Sequence, residues 1–121
     1  MKHLALVVVG LMMLAGCGSE AVNYNDRGLE HYDLGEYKRA IQNYDEAIRL
    51  DPQDADAYYN RGIAYAVLDG YQRAIQDFDE AIRLDPQSGY AYYNRGFVYG
   101  LLGNAAQAER DQAKAKELGV E

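Results

Sequence analysis

Threonine is absent from this chain of 121 residues, serine occurs only as Ser19 and Ser88, and Cys17 is the sole cysteine. Nucleophilic catalysis needs a hydroxyl or thiol beside a base, and this chain offers almost none. Histidine is limited to His3 and His31, too few for a convergent metal site, and no glycine-rich phosphate loop occurs. The carboxylate pairs Asp45-Glu46 and Asp79-Glu80 are adjacent in sequence, which suits a solvated helix surface better than acid and base roles. No catalytic residue, metal ligand or cofactor is therefore expected, and the chain does not read as an enzyme. Lysine is scarce as well, limited to Lys2, Lys38, Lys114 and Lys116 within a formal net charge of −7. Without a basic stripe, nucleic acid is disfavoured as a partner, and charge alone would not hold the protein to anionic headgroups.

The one long apolar run lies at the start. Lys2 and His3 precede Leu4 to Ala15, which is too short to span a bilayer and ends in small residues, the pattern of an export signal. The next residues, Leu14-Ala15-Gly16-Cys17, resemble the lipobox of bacterial lipoproteins. That resemblance implies removal of residues 1–16 and acylation of Cys17, for example with palmitate, as the new N-terminus. An ordinary secretory signal with a stray thiol is the alternative. An unpaired thiol in an oxidising compartment is a liability, which favours acylation. Gly18 is not the aspartate that retains many lipoproteins in the inner membrane, so an outer-membrane address is expected if the cell has one, facing the periplasm or the surface. Residues 17–23 would form the lipidated cysteine and a tether of about 20 Å at ~3.3 to 3.6 Å per residue.

What remains is repetitive. Ala21 to Asp54 laid above Ala55 to Ser88 aligns without a gap, a period of 34 residues, and a third copy from Gly89 drifts in its second half. Apolar or small residues recur at helical spacing, Tyr58, Gly62, Tyr65 and Leu68, then Ala74, Phe78, Ala81, Ile82 and Leu84. Each copy thus predicts two amphipathic helices. Asp69-Gly70, set against Leu34-Gly35 and Gly103-Asn104, suits a left-handed C-terminal cap and a tight turn. Pro52 and Pro86 stop the second helices, and Asp54 and Ser88 offer N-caps to the next.

This pattern is similar to the tetratricopeptide repeat, in Tyr58, Gly62, Tyr65, Ala74, Phe78, Ala81 and Pro86. The first copy supplies Tyr24, Gly28, His31, Ala40, Tyr44, Ala47 and Pro52, which makes His31 a packing residue at a tyrosine position. The third supplies Tyr92, Gly96, Tyr99, Ala108 and Ala115, but Gln112 replaces the aromatic and Val120 the proline. The resemblance implies an all-α, right-handed α-α superhelix of six helices in three pairs, a domain over 24–121 with repeats 21–54, 55–88 and 89–121. The polar last helix is expected to act as a cap, since a stack must end on a polar face.

The pentapeptide YYNRG occurs at Tyr58 to Gly62 and again at Tyr92 to Gly96. Its arginine, present as Arg27, Arg61 and Arg95, precedes a glycine that permits close helix approach. A guanidinium in that crowded place needs a partner or an exit to solvent. Asp45, Glu46, Asp77, Asp79 and Glu80 on the second helices are candidate partners, which makes the arginines struts. The alternative is a ladder of three cations meeting an acidic ligand.

Residues three, four and seven apart share a helix face. With Tyr58, Gly62 and Tyr65 turned to the core, a second face is left over. In tetratricopeptide proteins the first helices line a concave groove that accepts a peptide or helix. Carried over by position, that groove comprises Asn25, Leu29 and Tyr32, then Tyr59, Ile63, Ala66 and Val67, then Tyr90, Tyr93 and Phe97. Tyr59 and Tyr93 could equally fill joints between repeats. Some family members clamp a C-terminal carboxylate with lysines on the first helices, but here the lysines beyond the signal lie in second-helix segments. The expectation is a membrane-anchored scaffold or adaptor that binds a protein segment in envelope assembly, secretion or protein quality control. The alternative is a structural protein that self-associates into a homo-oligomer.

Overall fold

The computed structural model describes residues 19–121, so the signal and Cys17 lie outside the described residues. Six helices and no strand occur among them. Helix α1 covers 19–33, followed by α2 (Tyr37–Leu50), α3 (Ala55–Val67), α4 (Tyr71–Leu84), α5 (Gly89–Leu101) and α6 (Ala105–Glu117). Residues 19–23 belong to α1 rather than to a tether. Ala21 aligns with Ala55 at the start of α3 and is buried, so packing draws the helix toward the N-terminus.

Helix starts follow from short polar side chains. The Asp54 carboxylate accepts from the backbone N–H of Asp56 at 3.0 Å and Ala57 at 3.4 Å, and Ser88 Oγ accepts from Ala91 at 3.4 Å. Asn104 does the same for α6, accepting from Gln107 at 3.3 Å. Each cap satisfies donors that the first turn leaves orphaned. At the other end of α2 and α4, Asp51 and Asp85 accept from Gln53 and Gln87, and the exposed Pro52 and Pro86 lie inside those turns.

The turn within each pair departs from expectation by one residue. Gly35 and Gly103 have φ of +76° and +79°, and the equivalent residue of the middle repeat is Asp69 at φ +62°, not Gly70. Gly70 instead precedes α4 with φ −81°. Aspartate tolerates the left-handed region better than most side chains, and Asp69 Oδ1 also accepts from the Tyr71 hydroxyl at 3.0 Å. Leu68, counted above with the core face, is exposed in this turn, as are Leu34 and Leu102.

Short connections force neighbouring helices antiparallel, and α3 and α5 each pack on their own second helix and on the second helix of the preceding repeat. The core is mostly alanine, which lets helices approach closely, with Tyr44, Phe78 and Val98 as the largest fully buried side chains. Ala74, Ile75, Phe78 and Val98 form one cluster, and Ala40, Tyr44 and Ala64 form another. Burying Phe78 alone contributes about 1.5 to 3 kcal/mol relative to exposure. At the far end, α6 buries Ala108, Asp111 and Ala115 and exposes Gln112 where the middle repeat has Phe78. Gly119 turns the chain at φ +96°, and Val120 folds back onto Gly89, whose added Cβ would lie 2.7 Å from Val120 Cγ2.

Candidate functional site

The repeated arginine is a fastening between helices. Arg61 donates to both carboxylate oxygens of Asp77 at 2.9 and 2.7 Å and to Asp45 of the preceding repeat at 2.9 Å. Arg95 repeats the pattern with Asp111 at 2.9 and 2.8 Å and Asp79 at 2.8 Å. Each guanidinium also lies over the tyrosine three residues earlier, Arg61 at 5.7 Å from the Tyr58 ring and Arg95 at 5.4 Å from Tyr92. Burial opposes the charge on Arg61, but the bonds to Asp77 and Asp45 outweigh it and hold the guanidinium above its usual pKa. Burial likewise pushes the Asp77 carboxyl up, with Arg61 working against the rise.

Arg27 departs from this pattern. Asn43 stands where Asp77 and Asp111 stand in the later repeats, and its amide bonds to its own helix at the Arg39 carbonyl, 2.9 Å away. Arg27 therefore forms no ion pair among the described residues; it is exposed and lies 5.3 Å from the Tyr24 ring.

The asparagine of the pentapeptide, to which the sequence reading gave no role, links successive first helices. Asn60 Nδ2 donates to Asn25 Oδ1 at 3.2 Å, and Asn94 Nδ2 donates to the Tyr59 hydroxyl at 2.9 Å. Tyr59 is half-buried, with its ring 6.0 Å from Phe78, and burial raises its phenol above the ordinary value despite the bond from Asn94. Of the two roles open to Tyr59, the structure shows the joint. Asn25 is a joint as well.

Ile63, Ala66 and Val67 of α3 come together with Phe97 of α5 around a cavity of about 240 Å³. Asn94, Val98 and Leu101 of α5 complete its walls, and Phe78 of α4 forms the floor. Phe78 was counted only as core, and Asn94, Val98 and Leu101 lie on α5 beside Tyr90, Tyr93 and Phe97, the positions carried over for that helix. Leu101 repeats Val67 one period later, which was the available signal. Phe97 and Leu101 are 57% and 51% exposed at the rim. Tyr32 lies elsewhere, packed on the Tyr44 cluster and edge-on to Tyr37 at 5.1 Å. Leu29 and Tyr90 are exposed outside this cavity, and Tyr93 lines a separate one with Gln112, Lys116 and Val120.

A further cleft of about 580 Å³ opens beside the N-terminal end of α3, lined by Val22, Asn25, Gln53, Ala55 and four carboxylates, Asp51, Asp54, Asp56 and Asp85. Among the described residues no cluster could hold a metal ion, and no helix is long and apolar enough to cross a membrane.

Stacked helix pairs that share a period of 34 residues, two of them fastened by the same arginine strut, define a helical-repeat scaffold. The chain matches the tetratricopeptide repeat over residues 55–88 and 78–110, and the TPR repeat over 28–69. Among similar solved structures is the second TPR of Spaghetti (RPAP3) bound to the HSP90 peptide SRMEEVD. It is 32% identical at a TM-score of 0.81, covering 84% of this chain and 94% of that one. The second TPR domain of human RPAP3 in complex with the HSP70 peptide SGPTIEEVD is 31% identical at 0.82, covering 85% and 86%. The Arabidopsis OM64 TPR domain is 28% identical at 0.84, covering 85% of each chain. The protein belongs to the tetratricopeptide repeat family. No catalytic family is among the matches, and no curated protein matches the chain.

Proposed function

We propose that the protein is an adaptor whose groove between α3 and α5 binds a segment of another protein, held at a membrane through an acylated Cys17. The observation that carries this reading is the apolar cavity with Phe97 and Leu101 standing exposed at its rim, an arrangement that excludes water once an apolar side chain enters. Likeness to the RPAP3 domains, which bind HSP90 and HSP70 peptides, supports a peptide segment as the ligand class. Attachment at Cys17 would hold the bound partner beside the bilayer, outer membrane if the cell has one, which fits a role in envelope assembly, secretion or quality control.

Phe97→Ala with Leu101→Ala tests the groove. Both residues are largely exposed, so the fold survives, whereas a Tyr59 substitution would also break the joint with Asn94. A partner recovered from envelope extracts by the parent should bind the variant about 30-fold more weakly, a loss of about 2 kcal/mol. Equal retention refutes the groove. Recovery of only further copies of the chain, with a mass that rises with concentration, would establish the self-associating alternative. For the anchor, Cys17→Ser should abolish palmitate incorporation and release the protein from membranes; unchanged fractionation would sink it.

A further inference from the structure

We infer that the segment this groove accepts is cationic as well as apolar, with a large apolar side chain seated between α3 and α5 and lysine or arginine reaching the carboxylate cleft. This inference rests on the peptide-binding reading above and adds the chemistry of the ligand. Its first support is an accounting of positive charge. The first helices carry three cations, Arg27, Arg61 and Arg95; the latter two are saturated by aspartates, and α1, α3 and α5 contain no lysine. On the first helices, an acidic segment like the SRMEEVD of the HSP90 complex would meet Arg27 as the one cation without an ion pair among the described residues.

The second support is where the negative charge lies. Asp51, Asp54, Asp56 and Asp85 line one cleft that no lysine or arginine lines, and Asn25 joins that cleft to the row of first helices through Asn60. Asp56 and Ile63 stand on the same helix, about 10 Å apart at 1.5 Å per residue. A segment of seven or eight helical residues, or of three or four extended ones, therefore reaches both places at once. Carboxylates on this surface steer a cation in and raise its local concentration, while the cavity holds the apolar end.

Panning a display library of random peptides, about twelve residues long so as to span both places, against the immobilised full chain tests this. Retained peptides should combine Phe, Leu, Met or Trp with Lys and Arg enriched about threefold over the unselected library, and Asp and Glu depleted. Asp56→Asn with Asp85→Asn should abolish the basic enrichment and keep the apolar one. Retained peptides that are neutral or acidic, or basic enrichment that survives in this variant, overturn the cationic inference and leave the groove standing. Apolar enrichment that survives Phe97→Ala with Leu101→Ala removes the groove reading itself. Retention of no peptide by a chain that sediments as a dimer would make the occupant a second copy and overturn both.

Discussion

Replacing Asp77 by asparagine keeps shape and volume while removing the charge that Arg61 meets. The carboxylate accepts two charge-assisted bonds and is 6% exposed, and the Arg61 side chain is 21% exposed. Bonds to charged groups contribute about 1.5 to 3 kcal/mol, and breaking a fully buried pair costs about 3 to 5. Partial exposure of Arg61 and the surviving bond to Asp45 place Asp77→Asn near 2 kcal/mol, and since ~1 kcal/mol moves a domain of this size by about 4 to 8 °C, Tm should fall by about 8 to 16 °C. Asp45 is half exposed, so Asp45→Asn should cost less than about 1 kcal/mol. Thermal and urea unfolding followed by circular dichroism at 222 nm would measure both, and a double-mutant cycle with Arg61→Ala isolates the pair. Burial pushes the Asp77 carboxyl toward its neutral form while Arg61 favours the charged one. Three bonds converge on the Arg61 guanidinium, and this pairing outweighs the cost of burying the carboxylate. An Asp77→Asn variant as stable as the parent, with no coupling to Arg61, would show that desolvation cancels the pair and refute the strut.

Tyr44 is fully buried, and its hydroxyl has no hydrogen-bond partner among the described residues, whereas the equivalent residue one repeat later is Phe78. Tyr44→Phe should stabilise the fold by about 1 kcal/mol by removing an unsatisfied buried group, and a loss of stability would mean that the hydroxyl is satisfied in solution. Burial also raises the Tyr44 phenol above its ordinary value, so its contribution is whole below about pH 10 and is lost as pH rises beyond. Alkaline unfolding, followed by circular dichroism, should therefore begin at higher pH in the Tyr44→Phe variant. Gly35→Ala, at φ +76° with open space around it, should cost about 1 kcal/mol in urea melts from backbone strain alone, and a neutral result would refute the left-handed cap.

The helix pairs were legible because the period of 34 residues superimposes caps, prolines and apolar faces, and Asp54 and Ser88 cap as their side chains suggest. Legibility ended where a contact depends on a partner far along the chain. Asp77 and Asp45 stood among several candidate carboxylates for Arg61, but the arginine reaches sixteen residues in each direction, a spacing set by the crossing of helices and not by any one face. Arg27 looked equivalent until Asn43 proved to occupy the acceptor position. Tyr59 divided between groove and joint for the same reason, since only the placement of Asn94 decides it. The groove itself was half visible. Its walls lie on first helices, but its floor comes from the second helix behind them.

The missing strut of the first repeat gives the stack a direction of failure. Each later first helix is clamped to its own second helix by a buried ion pair and to the preceding second helix by a half-exposed one, whereas α1 lacks that strut and is held by side-chain packing, by the Asn25 to Asn60 bond to α3 and by the contact of His31 with Glu36 at the start of α2. Repeat arrays unfold by losing end units first, because an end unit has only one neighbour. Tension applied at the N-terminus, where an anchor at Cys17 would transmit it, would peel α1 away before disturbing α3 or α5. The first repeat would then act as a sacrificial joint that takes up strain while the groove keeps its shape.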